Sequence, residues 1–300
     1  MRASAARELD FRALRFVAVG HVTNDRLAQG QFPGGSALYA ALTAAKLGAS
    51  ARVVTSFGPD FTGVDLLSAA GIELEVLPSL QTTTFTAVDT GEKRSWVAFG
   101  RADQLHGPIG AADIVFACPV LAEVDPSCLQ APPPTIVAAG LQGWLRAIDP
   151  DGRVNPVEAD LSFLRGCQAL FCSEEDVGDN AASVVPRLLE SAPTVVVTEG
   201  SRGAVLYLHG RPHRVLALPT SQADPTGAGD TFATCFLLAL ASGMSALEAA
   251  VVGACGASAV VEAPGPLGIE RLSSLPERVA WYRSHLPAPV LMGQHAPSVA

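Results

Sequence analysis

Apolar residues recur along this chain with two alternating periods. Arg15–Gly20, RFVAVG, is a short unbroken apolar run closed by glycine, the mark of a buried strand. Gly34–Gly48, GGSALYAALTAAKLG, spaces its apolar residues helically and stops at a glycine. ARVVTSFG (51–58) reads as strand again and DFTGVDLLSAAG (60–71) as helix. Strand and helix thus alternate from the start, which predicts an α/β fold with a mostly parallel central sheet and helices on its faces.

The rhythm then changes. IELEVLPS (72–79) and TTTFTAVDTGEKRSWVAF (82–99) alternate polar and apolar residues, with a turn at Asp89–Glu92. This pattern predicts an antiparallel hairpin with one exposed face, either a small projecting lid or an edge of the main sheet. Buried-strand runs resume in ADIVFAC (112–118), PPPTIVAAGLQG (132–143), CQALFCSEED (167–176) and APTVVVTEG (192–200). GAVLYLHGRPHRVLAL (203–218) is a hairpin with His209 and His213 as solvent-exposed residues flanking its turn. One helix ends at Gly243, and a small-residue helix spans about Ser245 to Val261. That second stretch is too short and too rich in Gly and Ala to span a bilayer, and predicts a buried helix. No repeat or long linker divides the chain. The expectation is one domain over 1–285, with the hairpin at about 82–99 inserted, and a loosely ordered Pro/Ala-rich tail over 286–300.

With 300 residues the chain can bury a core without disulfide or metal staples. Mean hydropathy is +0.31 while aromatics are only 6%, which suits Ala, Val and Leu packing of helices on strands. A net charge of −9 argues against nucleic acid as a partner. An anionic substrate would need a local basic pocket, with Arg94, Arg101 and Arg146 as candidates. Six cysteines lack CxxC spacing and several sit in apolar runs, the pattern of buried free thiols in a reducing cytoplasm. The N-terminus carries acids and no long apolar core, unlike a signal peptide. Neither lysine, Lys46 before Leu47 or Lys93 before Arg94, stands in a Walker-type phosphate loop.

The chemistry concentrates in ADPTGAGDTFATCFLLALASG (223–243). A helix start exposes unpaired N–H groups and the positive end of the helix dipole. Small residues at Gly227, Ala228 and Gly229 let an anion approach that backbone. Asp230 beside them could take a proton from an attacking hydroxyl. The plainer alternative is a helix cap after a glycine turn.

The string Asp224-Pro225-Thr226-Gly227-Ala228-Gly229-Asp230 resembles the second signature of the ribokinase-like (PfkB-type) carbohydrate kinases. Gly34-Gly35 and Asp25, in VGHVTNDRL, match two further landmarks in order, so the resemblance covers about Phe16 to Gly268. It implies a three-layer α/β/α sandwich with a small β lid, the hairpin at Thr82–Phe99. It also implies a kinase using ATP and Mg²⁺. Asp230 would be the base, and Gly227, Ala228 and Gly229 the anion hole. Asp25, Gly34 and Gly35 would meet the acceptor. Thr198, Gly200 and Gly203, in TEGSRGAVL, would lie near ATP with Ser173 and Thr226. Asp224 and Thr226 stand where some members bind a monovalent cation, and a lid-mediated homodimer is a further expectation.

Two departures stand out. Where the family often has Asn-x-x-Glu linked to magnesium, this chain has Ser173 and Asp176, so Asp176 is the metal candidate left. Tyr39 replaces a polar residue of ribokinases and argues against ribose. A finer similarity, to the plant myo-inositol kinase branch, rests on TTTFTAVDTGEKRSWV, AAGLQGWLRAIDPDGRV and CSEEDV. It places Gln142 and Arg146 on the acceptor with Asp25, a set of acid, amide and Arg suited to a polyol without an aromatic wall. Arg146 could instead pair with Asp149 or Asp151 at the surface. The competing functions are a metabolite or nucleotide sensor on the same fold, and a kinase for fructose or a nucleoside. A dinucleotide oxidoreductase is disfavoured by the absence of GxGxxG after the first strand.

Overall fold

A computed structural model describes residues 9–27, 30–89 and 94–293. The strands in chain order are β1 (Arg15–Val19), β2 (Thr23–Leu27), β3 (Gly30–Gly34), β4 (Ser50–Phe57), β5 (Glu73–Pro78), β6 (Thr84–Asp89), β7 (Arg94–Gly100) and β8 (Ile114–Ala117). They continue as β9 (Ile136–Gly140), β10 (Arg146–Ile148), β11 (Val154–Pro156), β12 (Ala169–Ser173), β13 (Thr194–Thr198), β14 (Ala204–Leu208), β15 (Arg211–Val215) and β16 (Val290–Leu291). The α-helices are α1 (Ser36–Lys46), α2 (Val64–Ala69), α3 (Glu174–Val177), α4 (Ala181–Ser191), α5 (Ala228–Ala241), α6 (Ala246–Val260) and α7 (Leu275–His285).

Ten strands form the main sheet in the order β16-β15-β14-β13-β12-β9-β8-β1-β4-β5. The seven from β13 to β5 run parallel, and β14, β15 and β16 close one edge antiparallel. Apolar residues of the central strands alternate between two cores, as a period of two requires. Phe16 and Ala18 face one core with α1, α5, α6 and α7, while Val17 and Val19 face the other with α4. That is the expected three-layer α/β/α arrangement. Helices α5 and α6 are apolar nearly all round and are correspondingly buried. Their close packing depends on small residues: a Cβ at Gly256 would lie 2.5 Å from Cys235 Sγ. Ser245 starts α6 with a reciprocal capping box to Glu248.

Four expectations change. IELEVLPS is not part of the hairpin; it supplies β5, the exposed edge of the main sheet, where one-sided exposure produces the same alternation. The lid is larger than a hairpin. β6 and β7 join β2 and β3 in a separate four-stranded sheet ordered β3-β2-β6-β7. Thr90–Lys93, including most of the expected turn, lie outside the described residues. The tail is ordered at Val290–Leu291, which pairs with β15. On the β14–β15 hairpin, His209 is exposed as expected, but His213 is half-buried.

The lid is tied to the main sheet by more than its chain connections. His21, fully buried after β1, bonds through Nε2 to Asp103 O at 2.9 Å and through Nδ1 to Thr83 Oγ1 at 2.8 Å. The far edge of the lid is covered as well. Ala98 N donates to Gly152 O at 2.8 Å, and Val97 bridges Arg153 in the β10–β11 hairpin. A covered edge removes a row of unpaired backbone groups.

Candidate active site

The candidate residues gather where parallel strands end. β1 runs into His21–Asp25, β9 into Gln142–Arg146, β12 into Ser173–Asp176 and β13 into Thr198–Gly203. Strand order reverses between β1 and β8: the chain builds β4 and β5 on one side, then β9, β12 and β13 on the other. Such a switch point leaves a crevice outside the carboxyl ends of the strands.

Helix α5 starts at this crevice. Gly227 is its N-cap at φ 78°, in the left-handed region, and a Cβ there would stand 2.2 Å from Tyr39 Cδ1. Backbone and neighbour both demand glycine. No side chain caps the helix; Ala228 N donates to Pro225 O at 3.2 Å and Thr231 N to Gly227 O at 2.9 Å, which leaves the first-turn amides of Gly229 and Asp230 without a helical or side-chain partner. A Cβ at the exposed Gly229 would meet nothing within 4 Å, so the approach is open on that side.

Asp230 lies half-buried in that first turn. Loss of water pushes its carboxyl up to about 7, a hydrogen bond with Ser36 opposes this, the charge of Asp176 adds to it, and Arg146 opposes it. Asp25 is half-buried on β2, and burial pushes it up to about 6 against a bond from Thr23 Oγ1 at 2.8 Å. Gly34 makes room for it, since a Cβ there would sit 2.2 Å from Asp25 Oδ2. Gly35, at φ 93°, caps α1 next to it. The buried Tyr39 links the two acids: burial raises its hydroxyl pKa, and Asp25, Asp224 and Asp230 raise it further.

Arg146 is not paired with Asp149 or Asp151; its Nη2 reaches Asp176 Oδ1 at 3.2 Å. With the Gln142 amide turned so that its oxygen faces the guanidinium, it accepts from Arg146 Nη2 at 2.8 Å. Gln142, Arg146, Asp176 and Asp230 therefore form one electrostatic group. Asp176 also closes a capping box with Ser173. Arg101 lies apart from this group, donating to Leu121 O at 2.8 Å, and Arg94 belongs to β7.

Asp224 is engaged within its loop: Oδ1 accepts from Thr226 N at 3.0 Å and Thr226 Oγ1 at 2.7 Å, and Oδ2 from Gly265 N at 2.9 Å. These bonds fix the segment leading into Gly227. On the other flank, Thr198 Oγ1 donates to Cys172 O at 3.4 Å. Gly200 is exposed, and Gly203 packs on β15, where a Cβ would come 2.1 Å from Val215 O. The Thr198–Gly203 turn thus stands beside the end of β12 and Ser173.

Several contributors escaped the sequence reading. Ser36 and Thr23 hold the two acids, and neither has a motif of its own. Glu123 is fully buried; its carboxylate accepts from the backbone N–H groups of His21, Val120 and Leu121 at 2.7–3.0 Å, pinning the loops after β1 and β8. The lid face that carries Asp25 also carries aromatics. Phe32 and Phe85 are its direct cross-strand partners, and Trp96 packs edge-on against Phe85 at 6.3 Å. β2 and β3 were not read as strands, so the pairing that sets these rings beside Asp25 was missed. A wall free of aromatics is therefore not what surrounds Asp25. A cavity of 720 Å³, by contrast, lies at the opposite end of the sheet, lined by Pro132, Thr135 and Arg165 among others, far from these acids.

The fold is that of the ribokinases. An Arabidopsis thaliana ribokinase solved with ribose and ATP superposes with a TM-score of 0.68 at 20% identity, over 89% of this chain and 99% of that one. A pyrophosphate-dependent myo-inositol-1 kinase, converted by mutation into a myo-inositol-3 kinase, superposes at 0.74 and 20% identity, over 87% and 98%. The chain belongs to the pfkB family of carbohydrate kinases, whose model matches residues 6–270. It is 35% identical over 118 residues to the Zea mays inositol 3-kinase, 39% of this chain but only 31% of that protein. Longer matches join it to the Arabidopsis thaliana inositol 3-kinase, at 26% identity over 83% of this chain and 74% of that one. The Methanothermobacter thermautotrophicus nucleoside kinase is 27% identical over 77% and 79%.

Proposed function

We propose that the protein is an ATP-dependent kinase that phosphorylates a hydroxyl of a small sugar or cyclitol, with myo-inositol the leading acceptor. The observation that carries this reading is Asp230. A carboxyl that titrates near 7 sits in the uncapped first turn of α5, in the fields of Arg146 and Asp176. Family membership and the similarity to inositol 3-kinases support it.

In this reading Asp25, Gln142 and Arg146 bind the acceptor, and Gly34 and Gly35 bring the backbone near it. Asp230 accepts the hydroxyl proton as the acceptor oxygen bonds to the γ-phosphorus of ATP and the bond to the ADP oxygen breaks. The amides of Gly229 and Asp230, on the turn that Gly227 and Ala228 form, face the charge that spreads over the moving phosphoryl oxygens, where fixed donors lower the barrier most. Ser173, Thr198, Gly200, Gly203 and Thr226 flank the nucleotide. Magnesium on the nucleotide would neutralise β- and γ-oxygen charge. The lid closes on the acceptor and excludes water. Six free, buried thiols support a reducing compartment such as the cytoplasm. Leu80 and Phe99, 96% and 62% exposed, support a homodimer formed through the lid region, which light scattering would show as a doubled mass.

Product analysis with ATP, Mg²⁺ and a panel of myo-inositol, ribose, fructose and nucleosides tests the proposal. Phosphorylated inositol is expected; heat stabilisation by ligands with no product from any acceptor would instead mean a sensor. Phe32, Phe85 and Trp96 beside Asp25 favour one second reading, an acceptor with a flat apolar face such as a nucleoside. Preferred phosphorylation of a nucleoside over every polyol would establish it.

A further inference from the structure

Magnesium in phosphoryl-transfer sites is held by phosphate oxygens, waters and one or two carboxylates. Asp176 is the carboxylate that family resemblance offers for that task. Its side chain is only 5% exposed, and both oxygens are already committed. Oδ1 takes the Arg146 guanidinium, and Oδ2 accepts from Ser173 N at 2.9 Å and Ser173 Oγ at 2.7 Å. Ser173 Oγ in turn accepts from Asp176 N at 3.0 Å, so the box is locked from both sides. A metal would have to break a charge-assisted bond to displace it. The donor set does not fit a magnesium ligand.

The same contacts fit a different task. Arg146 is the first residue of β10 and follows the 3₁₀ turn Gln142–Leu145. Its side chain is 28% exposed, and the guanidinium is gripped by Asp176 and the Gln142 oxygen. A planar fork held at two points cannot swing, and a lysine could not be held in the same way. We propose that Asp176 is a positioning residue that fixes the Arg146 guanidinium beside Asp230 to clamp the acceptor, rather than a ligand to the metal. This rests on the kinase reading given above.

A double-mutant cycle in the full chain tests it, with acceptor KM, kcat and the Mg²⁺ half-saturation read for each protein. Arg146→Gln is expected to raise acceptor KM about 10- to 100-fold and Asp176→Asn about 10-fold, in line with loss of one or more bonds to a charged group. The double variant should be no worse than Arg146→Gln alone, because one residue acts through the other. Mg²⁺ half-saturation should move less than about twofold. Arg146→Lys, which leaves Asp176 and its capping box in place, should reproduce the KM defect if Asp176→Asn does not fold. A Mg²⁺ requirement raised tenfold or more in Asp176→Asn, or defects that multiply in the double variant, would overturn the assignment. If the unaltered protein phosphorylates no acceptor, the kinase reading fails instead. Mn²⁺ binding followed by electron paramagnetic resonance then tests the metal half of the inference by itself: equal binding by the unaltered protein and Asp176→Asn keeps Asp176 off the metal, and binding lost only in Asp176→Asn overturns it.

Discussion

Two carboxyls and a glycine set what single residues can do here. Asp230 and Asp25 titrate near 7 and 6, far above an exposed aspartate. A base must be ionised to work, so kcat/KM should fall as pH drops below about 7, with the steeper loss below 6 where both acids protonate. A pH-independent rate from 5 to 8 would contradict that. Stability moves the other way. The native state holds the Asp230 proton more tightly than the unfolded chain does, so its contribution to stability is full below about pH 4 and is lost as pH rises through about 7. Asp230→Asn should therefore raise Tm at pH 8 and change it less at pH 5. Gly227→Ala meets both a left-handed backbone and the Tyr39 ring, and should cost about 2 kcal/mol or more by denaturant unfolding. At this scale the sequence was informative where a motif is contiguous, as in Thr226–Asp230. It was silent on Ser36, Thr23 and Glu123; the partners of Ser36 and Glu123 lie about two hundred and about a hundred positions away.

Among elements, the joint between lid and main sheet is the most consequential. Thr83 Oγ1 serves two buried partners, His21 Nδ1 and the Ala102 amide at 3.0 Å. Thr83→Val strands both, and a loss of about 1–3 kcal/mol in unfolding free energy is expected. If the lid closes on the acceptor, backbone amides of β2 and β6 should exchange with solvent more slowly when acceptor is bound. Those of β1 and β8 should not change. Element type was legible wherever a strand is buried on both faces or a helix is stopped by glycine, as in β1, α1 and α5. It failed for β2 and β3, where Asn24-Asp25 and the Gly- and Pro-containing Gly30–Gly34 have little strand propensity. β2 pairs with β3 on one side and with β6 on the other, and β6 is a non-local partner that local pattern cannot report. β5 was misassigned for a related reason. An edge strand and a hairpin arm share the same one-sided alternation, and only pairing with β4 separates them.

For the whole molecule, two sheets meet at a switch point, and the acids of one face the helix start of the other. Buried His21 and the covered β7 edge argue that both sheets unfold together, so one cooperative thermal transition is expected, and two resolved transitions would show the lid to be independent. The layer order was legible in the alternation of strand and helix, while the lid's full extent was not. Among the described residues no helix is long and apolar enough to cross a membrane. The account's central claim is that Asp230 takes the acceptor's proton at the uncapped start of α5. Its most direct test is steady-state turnover of Asp230→Asn on the best acceptor, alongside ATP affinity by calorimetry. A fall of about 10²–10⁴-fold in kcat with ATP affinity unchanged is predicted; turnover within a few-fold of the unaltered protein would contradict the claim.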